Sequence, residues 1–189
     1  MSGRHGTDGV GDVQPRIPRP QAQEFQEQGP HRGDNDARLS AELAAVVAGA
    51  RRRAVRDGDG QIDTAHLLHS LLESDPEVRA VLGEGPRLAR LLGYLVQRSI
   101  GYGLRWQGAV EDSGSVPAVT VTAGFSPLAA GCMECAHGRA ARNGKGPARG
   151  TDLLAALVAD PQARAVEVLE RAGIDPRALS TLLKAPSSR

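Results

Sequence analysis

The stretch LSAELAAVVAGARRRAVRDGDGQIDTAHLLHSLL, residues 39–72, decides the fold because the chain repeats it 86 residues later. The second copy, residues 125–158, reads FSPLAAGCMECAHGRAARNGKGPARGTDLLAALV. Laid side by side without gaps, the two copies are identical at 11 of 34 positions. Such self-similarity is typical of two copies of one supersecondary unit that share a core. We interpret the pattern as that of a binding module before that of an enzyme.

Composition narrows the class of protein. The net charge is only +1, from 23 basic and 22 acidic residues, so the chain has no strong field to attract nucleic acid or an acidic membrane. Aromatic residues make up only 3%, so the core must consist of Leu, Val and Ala, which suits closely packed helices. No segment approaches the ~18 apolar residues of a membrane span, and the first residues lack the layout of a secretory signal. We therefore expect a soluble, cytoplasmic protein that binds neither nucleic acid nor membrane.

Residues 1–38 differ from the rest because they are rich in Gly and Pro and poor in aliphatic residues. Such a segment buries too little apolar surface to offset the entropy lost on ordering. We predict a disordered tail there. It is followed by repeat 1 (39–100), a connector (101–124) and repeat 2 (125–183).

Within each repeat, apolar residues recur at spacings of three and four, which predicts four amphipathic helices. Turn and cap residues separate them, since Asp, Ser, Thr and Pro favour helix starts and Gly favours helix ends. The predicted starts are Ser40, Asp63 or Thr64, Asp75-Pro76 and Pro86 in repeat 1, and Ser126, Thr151, Asp160-Pro161 and Pro176 in repeat 2. The fold class is therefore all-α, with eight helices in two four-helix repeats related by a pseudo-two-fold axis.

Three features together resemble a known family. Each copy opens on an apolar residue followed by serine, each first helix carries paired small residues, and residues 62–72 read IDTAHLLHSLL, which is similar to a family motif I-G-T-E-H-[IL]-L-L-x-L. The openings are Leu39-Ser40 and Phe125-Ser126, and the small residues are Ala50, Ala54, Ala136 and Ala140. Over about residues 39–183 the chain resembles the double Clp-N (Clp repeat) domain, the N-terminal module of ClpC-type AAA+ unfoldases.

The resemblance implies a binding site in the groove between the repeats. In ClpC-type domains the Glu of each G-T-E-H motif helps to bind phosphoarginine, but this chain has Ala65 and Thr151 at those positions. We therefore do not expect phosphoarginine recognition in the family manner, although the hydroxyls of Ser40 and Ser126 could meet a phosphate at a helix start. The predicted partner-binding residues are Leu39, Ser40, Ala65, Phe125, Ser126 and Thr151.

The sequence carries no nucleotide-binding loop, since Gly144-Lys145-Gly146 lacks the spacing and the Ser/Thr of G-x-x-x-x-G-K-[ST]. It therefore resembles a free-standing Clp-N protein without ATPase modules. The implied function is non-catalytic binding of Clp unfoldase or protease components, adaptors or substrate peptides. An alternative is a protein that sequesters small cyclic-peptide ligands of the full-length unfoldase.

Cys132 and Cys135, with His137, have the spacing of half a zinc site. Such a site needs four ligands, and no second pair of cysteines exists. In the alignment of the repeats Cys132 matches Val46, a core position, so we predict a structural role. A redox site or an enzyme that uses the cysteine pair is the weaker alternative.

The remaining candidates favour structural interpretations. His66 is predicted to cap a helix, because its counterpart in repeat 2 is Asp152. The loop at residues 57–60 resembles a calcium loop but has Leu68 where the twelfth-position Glu belongs. We predict no catalytic residue, metal or cofactor. The run at residues 51–53 is interpreted as a solvated arginine face, and the aromatic residues Tyr94, Tyr102 and Trp106 as anchors, either on the core or at an interface.

Overall fold

The computed structural model describes residues 39–83, 85–99, 110–111, 124–144 and 146–184. Over these ranges the chain forms eight helices and only isolated β-bridges, which confirms the predicted all-α fold. The helices are α1 Ala41–Asp57, α2 Thr64–Ser74, α3 Pro76–Leu82, α4 Pro86–Ser99, α5 Pro127–Arg142, α6 Gly150–Leu157, α7 Arg164–Arg171 and α8 Pro176–Lys184. The predicted disordered tail and most of the connector lie outside the described residues. No described helix has the length and apolar character needed to span a bilayer.

Helix α1 begins and ends as its sequence predicts. The Ser40 hydroxyl accepts a hydrogen bond from the Leu43 amide at 3.2 Å and so caps the first turn. At the other end Gly58 adopts the left-handed conformation, with φ of 72°, in which glycine is free of strain. The buried residues between these ends recur every three or four positions and form one face: Leu43, Val46, Ala50 and Ala54.

Helices α2 and α6 are the central helices of the two repeats. Residues 64–72 of α2 are all buried, so this helix is packed on every side. Asp63 and His66 form a capping box at its start: the Asp63 carboxylate accepts from the His66 amide, and the His66 ring accepts from the Asp63 amide. The predicted capping role of His66 is therefore confirmed. In the same position of α6, Asp152 accepts from the Arg149 amide at 3.2 Å.

Two short backbone pairings join the repeats. Leu39 of repeat 1 pairs with Ala148 of repeat 2, and Phe125 of repeat 2 pairs with Ile62 of repeat 1. In the second pairing the Ser126 amide donates to the Ile62 carbonyl at 2.8 Å. Both pairings connect positions that correspond in the sequence repeat, so the repeats are docked with the predicted pseudo-two-fold symmetry.

One apolar core extends through both repeats, and Phe125 is the one buried aromatic residue among those described. Each buried leucine contributes roughly 1.5–3 kcal/mol relative to an exposed one. The small residues at positions 50, 54, 136 and 140 are buried on the first helices of the repeats, where they allow close approach to the central helices. Fully buried leucines of the central helices are Leu67, Leu68, Leu71, Leu153, Leu154 and Leu157.

Helix α3 is capped from within its own repeat. The Asp75 carboxylate accepts from the amides of Glu77 and Val78, at 2.8 and 3.1 Å. The same carboxylate lies against Gly150, the first residue of α6: a β-carbon on Gly150 would lie 1.9 Å from Asp75 Oδ2. Gly150 therefore leaves the space that this capping carboxylate fills.

The corresponding helix of repeat 2 corrects one prediction. The sequence predicts a start at Asp160-Pro161, but α7 begins at Arg164. Asp160 instead accepts from the Gln162 amide at 2.8 Å, in a turn that precedes the helix. Ala163, which corresponds to the capping residue of α3, supplies no side-chain cap. The partners of the first α7 amides come from other parts of the chain.

Gly150→Ala should lower the free energy of unfolding by about 1–3 kcal/mol, because the added β-carbon must displace Asp75 from its capping position. Urea denaturation measures this change. Gly93→Ala in α4 is the matched control, since a β-carbon there meets nothing within 4 Å. The control should be neutral or stabilising by up to about 1 kcal/mol. Equal effects of the two substitutions would contradict the packing of Asp75 against α6.

Candidate functional site

The structure divides the six predicted partner-binding residues between two ends of the repeat junction. Leu39 and Ser40 are half-buried at the start of α1, and the Ser40 amide donates to the Ala148 carbonyl at 3.0 Å. Thr151 is half-buried in the first turn of α6, which begins two residues after Ala148. We call the region of Leu39, Ser40, Ala148 and Thr151 the open end.

The other three residues lie at the opposite end of the junction. Phe125 and Ser126 are buried beside Ile62, and Ser126 is only 1% exposed. Ala65 is fully buried in the first turn of α2, so its methyl group belongs to the core. We call the region of Ile62, Ala65, Phe125 and Ser126 the closed end.

A cleft of about 530 Å³ adjoins the open end through Ala148. Most of its lining residues are Gly, Ala or Pro, so its walls carry few protruding side chains. The lining comes from α5 and from the loop that leads to α6: Glu134, His137, Gly138, Ala140, Ala141, Gly146, Pro147 and Ala148.

Glu42 places a negative charge on the rim of the open end. A backbone amide at the start of α1 lowers the pKa of this carboxyl, and the Ser40 hydroxyl and the charge of Arg149 lower it further. The side chain is exposed, so this charge is available to a partner and contributes little to the stability of the fold.

A carboxylate from the connector fills the closed end. Glu111 Oε1 accepts from the Arg164 amide at 2.8 Å and from the Thr64 hydroxyl. Glu111 Oε2 accepts from the Thr64 amide at 2.9 Å and from the Ser126 hydroxyl at 3.0 Å. One buried side chain thus joins the starts of α2, α5 and α7, where helix geometry leaves amides without partners.

A second buried carboxylate, that of Asp63, holds two arginines. Asp63 Oδ2 contacts a guanidinium nitrogen of Arg98 and lies 2.7 Å from one of Arg164. Burial raises the pKa of Asp63, but the hydrogen bond with His66, the charge of Arg98 and the hydrogen bond from Arg164 outweigh it and hold the pKa well below its usual range. These contacts tie α4 and α7 to the start of α2.

The two carboxylates differ in what holds them. Burial raises the pKa of Glu111, and the neighbouring charge of Asp63 raises it further. The hydrogen bonds from Thr64 and from the Arg164 amide offset this only in part. Asp63 is therefore held by cations, whereas Glu111 is held by neutral donors.

Among the described side chains, only Asp59, Asp63 and His66 place ligand atoms close enough together to surround a metal ion. His66 Nε2 lies 3.2 Å from Asp59 Oδ2. Arg98, however, contacts both carboxylates. A divalent cation would have to displace this guanidinium group, so the cluster is better described as an ion-pair network than as a metal centre.

The cysteine pair is divided between core and surface. Cys132 is buried, with its Sγ 3.7 Å from the Ala156 carbonyl oxygen, and Cys135 is exposed. Burial raises the pKa of the Cys132 thiol, which suppresses the reactive thiolate. The predicted core position of Cys132 is confirmed.

The other surface candidates are ordinary features of helix faces. Arg51 and Arg52 are exposed, as predicted, but the prediction of a solvated face is wrong for Arg53, whose side chain is only 11% exposed because it pairs with Glu73 of α2. Tyr94 is partly buried against the core. The other two aromatic candidates, Tyr102 and Trp106, lie outside the described residues.

The sequence indicates the helix caps but not the groups that connect them. Glu111 lies in the connector, without helical periodicity, and Arg98 and Arg164 are indistinguishable in sequence from surface arginines. The sequence signal for these connecting groups is that Thr64 is aligned with Gly150 in the two repeats, so that only repeat 1 has a hydroxyl at this helix start. It marks a point where the junction departs from two-fold symmetry.

Asp63→Asn should lower the free energy of unfolding at neutral pH by about 1.5–3 kcal/mol, because it removes the charged acceptor that Arg98 and Arg164 share while keeping a residue that can cap α2. The folded-state pKa lies below the unfolded value of 3.8. The stabilisation is therefore complete above that value and is lost as the pH falls through the folded-state pKa. Urea denaturation as a function of pH should show the two proteins converging in acid.

Asp175→Asn is the control for this substitution. The exposed Asp175 carboxylate also accepts from a backbone amide, that of Arg177 at 2.9 Å, but among the described residues it holds no buried cation. Its replacement should change stability by less than about 0.5 kcal/mol. A constant difference between Asp63→Asn and the wild type at every pH would contradict the charged network.

Comparisons with known proteins support the fold. No protein-family model matches the chain, and no curated protein matches it significantly. The N-terminal domain of the caseinolytic protease associated chaperone ClpD from Arabidopsis thaliana is similar in structure, with a TM-score of 0.56 and 21% identity, over 77% of this chain and 92% of that chain.

A second similar structure comes from preliminary structural investigations of a malarial protein secretion system. Its TM-score is 0.55 and its identity 14%, over 78% of this chain and 92% of that chain. At such identities the likeness concerns the fold. The chain therefore has a fold like that of a Clp chaperone N-terminal domain, as the sequence resemblance implies.

Proposed function

We propose that this protein is a non-catalytic binding module of the Clp chaperone and protease pathway. Its ligand is a peptide, an adaptor or a substrate, bound in the groove between the repeats. The fold likeness to the ClpD N-terminal domain supports a Clp-related binding module. The observation that carries the proposal is the asymmetry of the junction: the Ser40 end adjoins a cleft, whereas the Ser126 end is filled by Glu111. We assign binding to the open end of the groove and to the adjoining cleft, whose lining residues all belong to repeat 2.

The chemistry of this surface suits an extended peptide. Leu39 offers a half-buried apolar contact, and the adjoining cleft is walled mainly by small residues. Small residues on α5 leave room for the side chains of a ligand to pack closely against the helix, without demanding a particular sequence. Glu42 and Glu134 add acidic groups at the rim, and Arg142 and Arg149 add basic ones, so the surface offers both charges to a ligand.

Phosphoarginine is not the ligand that we propose. The Ser126 hydroxyl, which could have met a phosphate, donates to Glu111 instead. At the open end the Ser40 hydroxyl caps α1, and Thr151 brings no charge to a guanidinium group. Ala65 lies in the core. These placements agree with the expected loss of family-type phosphoarginine recognition.

Absence of catalysis is part of the proposal. A nucleophile needs a lowered pKa or an adjacent base. Burial raises the pKa of the Cys132 thiol, and His66 is committed to a helix cap. Both observations support a binding role.

A second candidate function is sequestration of small cyclic peptides that target the Clp unfoldase. The volume of the cleft, about 530 Å³, favours it, because small-molecule sites typically enclose roughly 300–1,000 Å³. In this role the protein would compete with the unfoldase for the ligand rather than deliver a substrate.

Gly138→Leu tests the assignment, because Gly138 lines the cleft and a side chain there meets only the flexible end of Arg142. We expect the affinity of the native ligand to fall at least tenfold, with no loss of helix content. Gly93→Leu on α4 is the matched control, since it places the same side chain on a helix outside the cleft lining. Calorimetric titrations of the full chain would use a purified ClpC-type unfoldase, a phosphoarginine peptide with its unmodified form, and a Clp-directed cyclic peptide.

The titrations separate the candidates. Binding of the unfoldase or the unmodified peptide that only Gly138→Leu weakens supports the pathway module. Binding of the cyclic peptide alone supports sequestration. Equal affinity in the two variants would contradict the placement at the open end, and failure of every ligand to bind the wild type would contradict the proposed function.

A further inference from the structure

The hydroxyls that hold Glu111 have no freedom to act otherwise. Thr64 Oγ1 accepts from the Ala165 amide at 3.0 Å, and Ser126 Oγ accepts from the Ala129 amide at 3.1 Å. Each hydroxyl therefore directs its hydrogen towards the Glu111 carboxylate. In this position both hydroxyls act as donors.

The other two groups that hold the carboxylate are backbone amides, which can only donate. The Thr64 amide lies in the first turn of α2, and the Arg164 amide in the first turn of α7. Glu111 Oε1 thus accepts one hydrogen bond from α2 and one from α7, and Oε2 accepts one from α2 and one from the start of α5. These four hydrogen-bond donors fit a ligand that has two coplanar acceptor oxygens and no hydrogen-bond donor of its own.

We propose that the closed end is an oxyanion-binding site for a monocarboxylate, and that Glu111 occupies it in the native chain as an internal ligand. The site is separate from the open end and does not depend on the proposed partner binding there. Its donors come from α2, α5 and α7, so the bound carboxylate joins both repeats.

The charges around the site favour a monoanion over a dianion, and four donors aimed at two coplanar oxygens favour a carboxylate over the tetrahedral, hydroxyl-bearing monoanion of phosphate. The neighbouring carboxylate of Asp63 repels a bound anion, and the guanidinium groups of Arg98 and Arg164 contact Asp63. No described cation is left to balance a dianion at the Glu111 position itself. Selectivity therefore depends on four directed donors rather than on positive potential.

Glu111→Ala creates a suitable vacancy, because the atoms removed are those of an acetate ion. The variant leaves four buried donors without an acceptor, which destabilises the folded state. Acetate that enters the vacancy should restore those hydrogen bonds, and binding to the folded state alone raises the melting temperature. We expect a saturable rise of at least about 2–4 °C in acetate over chloride at equal ionic strength and neutral pH.

Two variants of the full chain serve as controls. Glu111→Gln fills the same space with an amide whose NH₂ group opposes the donors, so it should be destabilised but not rescued by acetate. Glu170→Ala removes an exposed glutamate of α7 and should respond to acetate as the wild type does. Inorganic phosphate, tested in parallel, should give no rescue comparable with that of acetate.

Thermal unfolding monitored by circular dichroism distinguishes the outcomes. A rise confined to Glu111→Ala in acetate supports the site. If that variant is unfolded in chloride, recovery of its helical signal in acetate supports the site equally, and no recovery overturns it. An equal rise in Glu111→Gln, or none in folded Glu111→Ala, also overturns the proposal, and a phosphate effect as large as that of acetate overturns the monocarboxylate assignment.

Discussion

Amide groups at buried helix starts need hydrogen-bond partners, and this requirement governs the junction between the repeats. A buried amide without an acceptor costs about 1–3 kcal/mol, which is a large part of the net stability of a domain. Here α2, α5 and α7 begin next to one another inside the protein, where water cannot serve. A single carboxylate, that of Glu111, satisfies the Thr64 and Arg164 amides and holds the Ser126 hydroxyl in place.

The backbone pairings of the repeats are symmetric, but their caps are not. In repeat 1 the cap of α3 is the local carboxylate of Asp75, and Gly150 makes room for it. In repeat 2 that residue is Ala163, and the partners of α7 come from Thr64 and Glu111. Because of this difference in capping groups, Glu111 fills the closed end of the junction, while the open end lies beside a cleft. A chain built from two similar units therefore presents one candidate binding surface rather than two.

Most of the fold could be predicted from the sequence because the signals that define it are local. Ser40, Gly58 and Asp63 act on amides and carbonyls within a few residues, so their roles follow from residue type and spacing. The start of α7 was not predictable in this way, since its partners lie 53 and 101 residues away in sequence. The burial of Ser126 depends on that same long-range carboxylate, and so the difference between the two ends of the junction was also out of reach.

Native-state hydrogen exchange, followed by NMR, tests the docking of the repeats most directly. The amides of Ser40, Ile62 and Ser126 donate to carbonyls of Ala148, Gly124 and Ile62, respectively, and none of these bonds lies within a helix. If the repeats share one core, these three amides should exchange as slowly as those in the middle of α2, because all of them would be exposed only by global unfolding. Fast exchange at the three positions while α2 and α6 stay protected would mean that the repeats separate independently of unfolding, and would contradict a junction held closed by its buried caps.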